Sequence, residues 1–281
     1  MLTEQQRSDF QENGFVLLPD VVSAQERQTL IDQAYRIIEA ADLDMSSRFS
    51  TTDRSQIQHD FFLSSAQSIR CFFEEAAFDD NGQLKQPRAQ SINKIGHALH
   101  DLDPVFKAFA SRPDLAELAQ DLGVSNPHLY QTMVIFKQPR IGGEVTWHQD
   151  ATFFYTEPSS VITYWFALEE ATLQNGCLWV EPGGHKGPLR ERYFRDGSDL
   201  TMAPLDSTPW PDERSGTAVP VPAGTLLIFH GHLPHYSAPN RSDRSRLALT
   251  FHVVDGALPY DSRNWLQRPD LGPFVMGDSQ D

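Results

Sequence analysis

Residues 217–231 read TAVPVPAGTLLIFHG, and the fold turns on how they are read. Two short apolar runs flank a turn at Ala223-Gly224, and the second run ends at His230. Short segments rich in Val, Ile, Thr and aromatics, bounded by Gly and Pro, read as strands. The same texture recurs in HLYQTMVIFKQP (128–139), SVITYWFALEEA (160–171), GCLWVEP (176–182) and RLALTFHVVD (246–255). Asn175-Gly176 supplies a hairpin signal ahead of the third of these. Many short strands separated by turns predict a β-sandwich or small barrel.

Upstream of residue 128 the pattern changes to helix, short strand, helix. Thr3 with Gln6 and Ser23 with Glu26 have capping-box spacing, and Asn13-Gly14 stops the first helix. FVLLP (15–19) is a short buried strand. Leu30, Ile31, Ala34, Ile37 and Ile38 recur at helical spacing. Residues 91–123 mix one strand with two short helices, the second starting at Asp114 and stopping at Gly123. Residues 42–62 are polar and aperiodic and read as a loop that covers a site, a lid-type gate. The expected organisation is a single domain over 1–281, mainly β with flanking helices. Its helix-rich part spans 1–125 and its β-rich core about 126–260.

Composition narrows the function. About 40% hydrophobic residues in 281 suffice for a substantial core. A formal charge of −15 opposes general attraction to nucleic acid and anionic membranes. Cys71 and Cys177 read as reduced, packed thiols. The start, MLTEQQRSDF, lacks the pattern of a secretory signal, and no apolar run is long enough to span a bilayer, so a cytoplasmic protein is expected.

The chemistry starts at WHQDATFFYTEP (147–158). On a strand, residues i and i+2 share a face, so His148 and Asp150 would point together and Gln149 away. One further histidine would complete the two-histidine, one-carboxylate set of non-haem iron oxygenases. FHGHLPHYS (229–237) offers His230, His232 and His235. Arg246, eleven residues after His235, has the planar fork that grips a carboxylate, on a strand expected to run beside the ligand strand. Arg241 and Arg244 are expected in solvent. Phe153 to Tyr155 either line a substrate mouth or alternate between core and surface.

HQD (148–150), NGCLWVEPGGH (175–185), AGTLLIFHGHLPHYS (223–237) and NRSDRSRLALTFH (240–252) together resemble the phytanoyl-CoA dioxygenase family of Fe(II)/2-oxoglutarate oxygenases. FFLSS (61–65), IFKQP (135–139), GGEV (142–145) and NWLQ (264–267) extend the likeness over nearly the whole chain. The resemblance implies a double-stranded β-helix (jelly-roll) core with helices packed on one side. It implies His148, Asp150 and His235 as iron ligands, leaving His97, His100, His185 and His252 as non-ligands. For 2-oxoglutarate it implies Arg246, Lys94, Trp165, Ser237 and Met133: Arg246 as carboxylate anchor, Lys94 as a second positive charge, Trp165 as an apolar wall, Ser237 as a hydrogen-bond donor beside Arg246, and Met133 as a packing contact. O₂ and a small organic or acyl substrate complete the expected reaction, a hydroxylation or oxidative demethylation that releases succinate and CO₂. The carboxylate of Asp150 favours these over halogenation. Trp147 stands where a close member of the family has a smaller residue, and it either narrows the substrate pocket or packs in the core. Two other classes stay open: a non-catalytic jelly-roll metal- or ligand-binding protein, which has no need of Arg246, and a zinc hydrolase, which lacks an evident general base.

Overall fold

The computed structural model describes residues 1–42, 59–197, 199–212 and 215–277. Along the chain the elements are α1 (Glu4–Asn13), β1 (Phe15–Leu18), α2 (Ala24–Ala40), α3 (His59–Ser64), β2 (Ile69–Phe73), β3 (Ile92–His97), α4 (Leu99–Leu102), α5 (Pro104–Ala110) and α6 (Pro113–Asp121). There follow β4 (Pro127–Lys137), β5 (Val145–His148), β6 (Ile162–Ala167), β7 (Leu178–Val180), β8 (Glu191–Asp196), β9 (Asp199–Pro204), β10 (Thr217–Val219), β11 (Leu226–His230), β12 (His235–Ser237), β13 (Arg246–Asp255) and β14 (Phe274–Val275).

Local signals set the helix ends. Both expected capping boxes form, at Thr3/Gln6 and Ser23/Glu26. Gly14 ends α1 at φ 85°, and a Cβ there would fall 2.4 Å from His185 Nδ1, so glycine is required twice over. Asp103 caps α5 through bonds from Val105 N (2.9 Å) and Phe106 N (3.2 Å). Residues 91–123 therefore hold three helices rather than two, and the last starts at Pro113 with Asp114 in its first turn. Of the expected loop at 42–62, residues 43–58 lie outside the described residues, and residues 59–62 belong to α3 instead.

The strands form an eight-stranded sheet in the order β1-β11-β6-β13-β4-β3-β2 with β14 on β4, a four-stranded sheet β10-β7-β12-β5, and the β8-β9 hairpin. Every residue of β6 and β13 is buried, as strands covered on both faces must be. Ile162, Tyr164 and Phe166 of β6, with Leu247, Leu249, Phe251 and Val253 of β13, pack with the buried stripes of α1, α2, α5 and α6. The opposite parity, Trp165, Ala167 and Ala248, packs with Leu178, Val180 and Val219 of the small sheet. Helices thus cover one face of the large sheet and the small sheet covers the other, a jelly-roll core. The Asn175-Gly176 turn forms, but no hairpin follows: β6 lies in the large sheet and β7 pairs with β10 and β12. Arg246 likewise does not neighbour the ligand strand. Its strand pairs with β4 and β6, and faces β12 from the other sheet.

Candidate metal and cosubstrate site

The ligand candidates converge through sheet register. His148 ends β5, and its direct partner on β12 is His235. Directly opposed residues of an antiparallel pair stand on one face with close Cβ atoms, and here the two rings lie 4.1 Å apart. Asp150 does not continue the strand. Gln149 is extended, and Asp150 opens a 3-10 turn over Asp150–Thr152. The turn swings its carboxylate back, so that Oδ1 lies 3.6 Å from His148 Nε2 and 3.7 Å from His235 Nε2. The three donor atoms lie within 4.8 Å of one another, and no other group of three or more such residues gathers this way among the described residues.

Protein groups fix each of the three. His148 Nδ1 donates to Thr146 O (2.8 Å) and His235 Nδ1 to Leu233 O (3.0 Å). Both Nε2 lone pairs are therefore left facing the carboxylate, the tautomer a metal ligand needs. Asp150 Oδ2 accepts from Thr163 Oγ1 (2.5 Å) and lies 3.4 Å from His252 Nε2. Gln149, buried behind the cluster, donates to Pro188 O and His232 O and accepts from Arg190 N. Burial, then the neighbouring His235, push His148 down to about 4. Burial works against the Asp150 carboxylate, but His235, His252 and His148 outweigh it and hold the group below the ordinary carboxylate range. With each Nδ1 donating to a backbone carbonyl, the cluster presents two imidazole Nε2 atoms and one carboxylate oxygen to the space between them. That donor set fits a divalent transition ion with positions left open.

The other candidates follow rows across the inner face of the large sheet. One row runs Gly96, Met133, Thr250, Trp165; a second runs Lys94, Ile135, Ala248, Ala167; a third pairs Lys137 with Arg246. A further row of the same face, Gln131, His252 and Thr163, brings His252 and Thr163 to Asp150. Arg246 is 1% exposed, and its guanidinium lies 5.3 Å from the Trp165 ring. Among the described residues its Nε and NH1 are buried without a hydrogen-bond partner, and burial pushes it down to about 10. Buried guanidinium donors of this kind fit an anionic carboxylate. Lys94 is buried over the Phe62 and Phe72 rings at 5.6 and 5.3 Å. Met133 is half-buried beside Gly96. The Ser237 hydroxyl donates to Gly176 O (3.1 Å).

Several residues take places the sequence left open. Trp147 stacks on Tyr236 at 5.4 Å, on the face of β5 opposite His148, so it packs and does not narrow the site. Phe153 lies edge-on to His148 (6.2 Å) and to Tyr193, whereas Phe154 is buried against His252 (4.8 Å). His230 and His232 lie apart from the cluster, and Arg244 is exposed. His252 and Thr163 were missed as partners of Asp150, and Lys137 as the partner of Arg246. Parity could have found the histidine, since 246, 248, 250 and 252 share one face of β13.

The sequence profile of the family described as phytanoyl-CoA dioxygenase (PhyH) matches residues 10–248. A rice protein named phytanoyl-CoA dioxygenase 1 is 44% identical over 268 residues, covering 95% of this chain and 94% of its own. A cattle phytanoyl-CoA dioxygenase domain-containing protein 1 is 42% identical over 283 residues, covering 97% of each. Among solved structures, the epimerase SnoN in complex with Fe3+, alpha ketoglutarate and nogalamycin RO superposes with TM-score 0.66 at 19% identity, over 96% of this chain and 91% of that one. EctD from S. alaskensis with 2-oxoglutarate and 5-hydroxyectoine superposes with TM-score 0.64 at 19% identity, over 98% and 86%. At that identity the two structures speak for the fold. Among the described residues no helix is long and apolar enough to cross a membrane.

Proposed function

The chain belongs to the phytanoyl-CoA dioxygenase family of 2-oxoglutarate-dependent non-haem iron dioxygenases, and we propose that it hydroxylates, or oxidatively demethylates, a small organic or acyl substrate. The carrying observation is the pairing of a His148–Asp150–His235 donor set with a buried Arg246 on the large sheet whose Nε and NH1 find no partner among the described residues. A binding protein that only holds metal has no use for the second feature.

In this reading His148, Asp150 and His235 hold Fe(II), and Arg246 binds the distal carboxylate of 2-oxoglutarate. Trp165 walls the cosubstrate channel and orients the guanidinium that lies over it. Lys94 adds positive charge, Met133 packs against the channel, and the Ser237 hydroxyl, which here donates to Gly176 O, would turn to donate to the cosubstrate carboxylate. When bound, iron and 2-oxoglutarate supply the O₂-activating chemistry, in which the keto acid leaves as succinate and CO₂ and an oxygen atom enters a C–H bond of the substrate. Thr163 and His252 keep the Asp150 carboxylate turned toward the two histidines. Phe153, backed by Tyr193, lies edge-on to His148 and limits water at the open side. The reading takes 1–281 as a single catalytic domain. It also places the protein in the cytoplasm, a reducing compartment that suits the two buried free thiols Cys71 and Cys177.

The test is succinate formation with Fe(II), 2-oxoglutarate and O₂, across acyl-CoAs, free fatty acids and amino acids. Wild type is expected to form succinate and His148→Ala to form none. Fe(II) binding without succinate from any substrate would instead support a binding protein.

A further inference from the structure

Lys137 is the feature this reading leaves unused. It is 2% exposed and stands directly opposite Arg246 across the β4–β13 ladder. Like charges facing each other on adjacent strands repel, and burial strengthens the repulsion. Among the described residues neither side chain makes an ion pair. The Lys137 ammonium is held in place: it donates to Gly143 O and to Ser237 O (3.2 Å). Gly176 closes over its stem, where a Cβ would come within 2.5 Å of Lys137 Cδ. Among the described residues two of its three donors are spent on carbonyls, and the third is not.

From this placement we infer that Lys137 is a specificity-determining residue for the cosubstrate: with Arg246 it makes this end of the barrel a seat for a second carboxylate, so that a dicarboxylic keto acid is selected over a monocarboxylic one. The inference rests on the proposed 2-oxoglutarate reading. The two cations lie on the large sheet, and the Ser237 carbonyl that fixes Lys137 belongs to β12, two residues beyond His235. A keto acid chelated at the metal cluster would direct its far end toward this pair. An anion there relieves the repulsion that both cations otherwise carry. Burial, then the Arg246 charge, push Lys137 down to about 7, while Glu74 and Glu144 act the other way.

The experiment is calorimetric titration of Mn(II)-loaded protein with 2-oxoglutarate and with 2-oxovalerate, at a pH of about 6.5 where the ammonium is charged. The second ligand has the same chelating end and no distal carboxylate. Lys137→Gln keeps a donor toward the two carbonyls and removes the charge, and Lys137→Met keeps only the stem. Both variants are expected to lose about 10-fold or more in affinity for 2-oxoglutarate and to bind 2-oxovalerate within about twofold of wild type. Equal losses for both ligands would mean a merely structural clamp, and no loss for either would mean an idle lysine; each overturns the inference alone. A wild type that binds 2-oxovalerate as well as 2-oxoglutarate overturns it together with the reading beneath it.

Discussion

At one end of the space between the sheets, His148, Asp150 and His235 are each held by the protein: two imidazoles by backbone carbonyls, the carboxylate by Thr163 and His252. At the other end, Arg246 and Lys137 face each other, and two guanidinium nitrogens have no partner among the described residues. The first end is oriented in advance and carries negative charge. The second carries buried positive charge that two carbonyls and the more distant Glu74, Glu144 and Glu169 offset only in part. A site built this way expects a cation at one pole and an anion at the other. Its two poles should therefore respond differently when altered.

The largest difference is expected at the metal pole. Asp150→Asn keeps the shape of the side chain and its contact with Thr163, but removes the charge. Metal affinity, read by titration with Mn(II) or Fe(II), should fall by at least about 100-fold, more than loss of an outer partner costs. Wild-type affinity in the Asp150→Asn variant would break the assignment of this pole.

Next comes Arg246→Met. Affinity for 2-oxoglutarate should fall by roughly 100-fold, the loss of a bidentate charged contact. The ligand-free variant should nevertheless melt about 2–4 °C higher than wild type, because a buried guanidinium with two unpaired nitrogens among the described residues has been replaced by an apolar chain. With Mn(II) already bound, wild type should gain thermal stability on adding 2-oxoglutarate, and the variant should gain clearly less at the same ligand concentration. A ligand-free variant less stable than wild type would show that Arg246 is already satisfied, and the contrast between the poles would dissolve.

A smaller effect is expected one shell out. His252→Phe leaves the stack on Phe154 possible but removes the ring nitrogen that lies beside Asp150. Metal affinity should drop about 10-fold, within the range for outer-shell partners of a ligand, with the thermal midpoint of the metal-free protein nearly unchanged.

The same contrast separates what the sequence discloses from what it hides. Thr3/Gln6 and Ser23/Glu26 were legible because a capping box is decided within four residues. β6 and β13 were legible because both are rich in β-branched, aromatic and other apolar residues between turn signals, even though Thr163, Arg246, Thr250 and His252 interrupt the apolar run. The β8-β9 hairpin was not, since ERYFRD and DLTMAP carry neither alternation nor a long apolar run. The candidate ligands could be named from HQD and its family resemblance, but not the way they meet. That depends on the register His235↔His148 and on the turn at Asp150, neither of which is local to the motif. Which strand stands beside Arg246 is also a matter of sheet order, which is why its placement beside the ligand strand failed. Trp147 was readable in principle: a residue adjacent to His148 on a strand must face the other way.

Lys94 gives the smallest and most discriminating test, because it lies between the poles. Burial pushes its ammonium from the usual lysine range down to about 7, with Glu74 acting in the opposite direction. In the unfolded chain the group titrates near 10.4. Between those values the unfolded state holds a proton that the folded state has released, so this group makes stability rise with pH from about 7 to about 10. Below about 7 both states are protonated and the contribution is constant. Lys94→Met removes the slope. The difference in melting temperature between variant and wild type should therefore be largest, by about 2–4 °C in favour of the variant, near pH 7, and should shrink toward pH 10. Taking the difference cancels the tyrosines and cysteines that titrate in the same range. A constant difference across the window would mean that Lys94 keeps its proton in the folded protein, and that the positive pole extends further toward the metal than Arg246 and Lys137 alone imply.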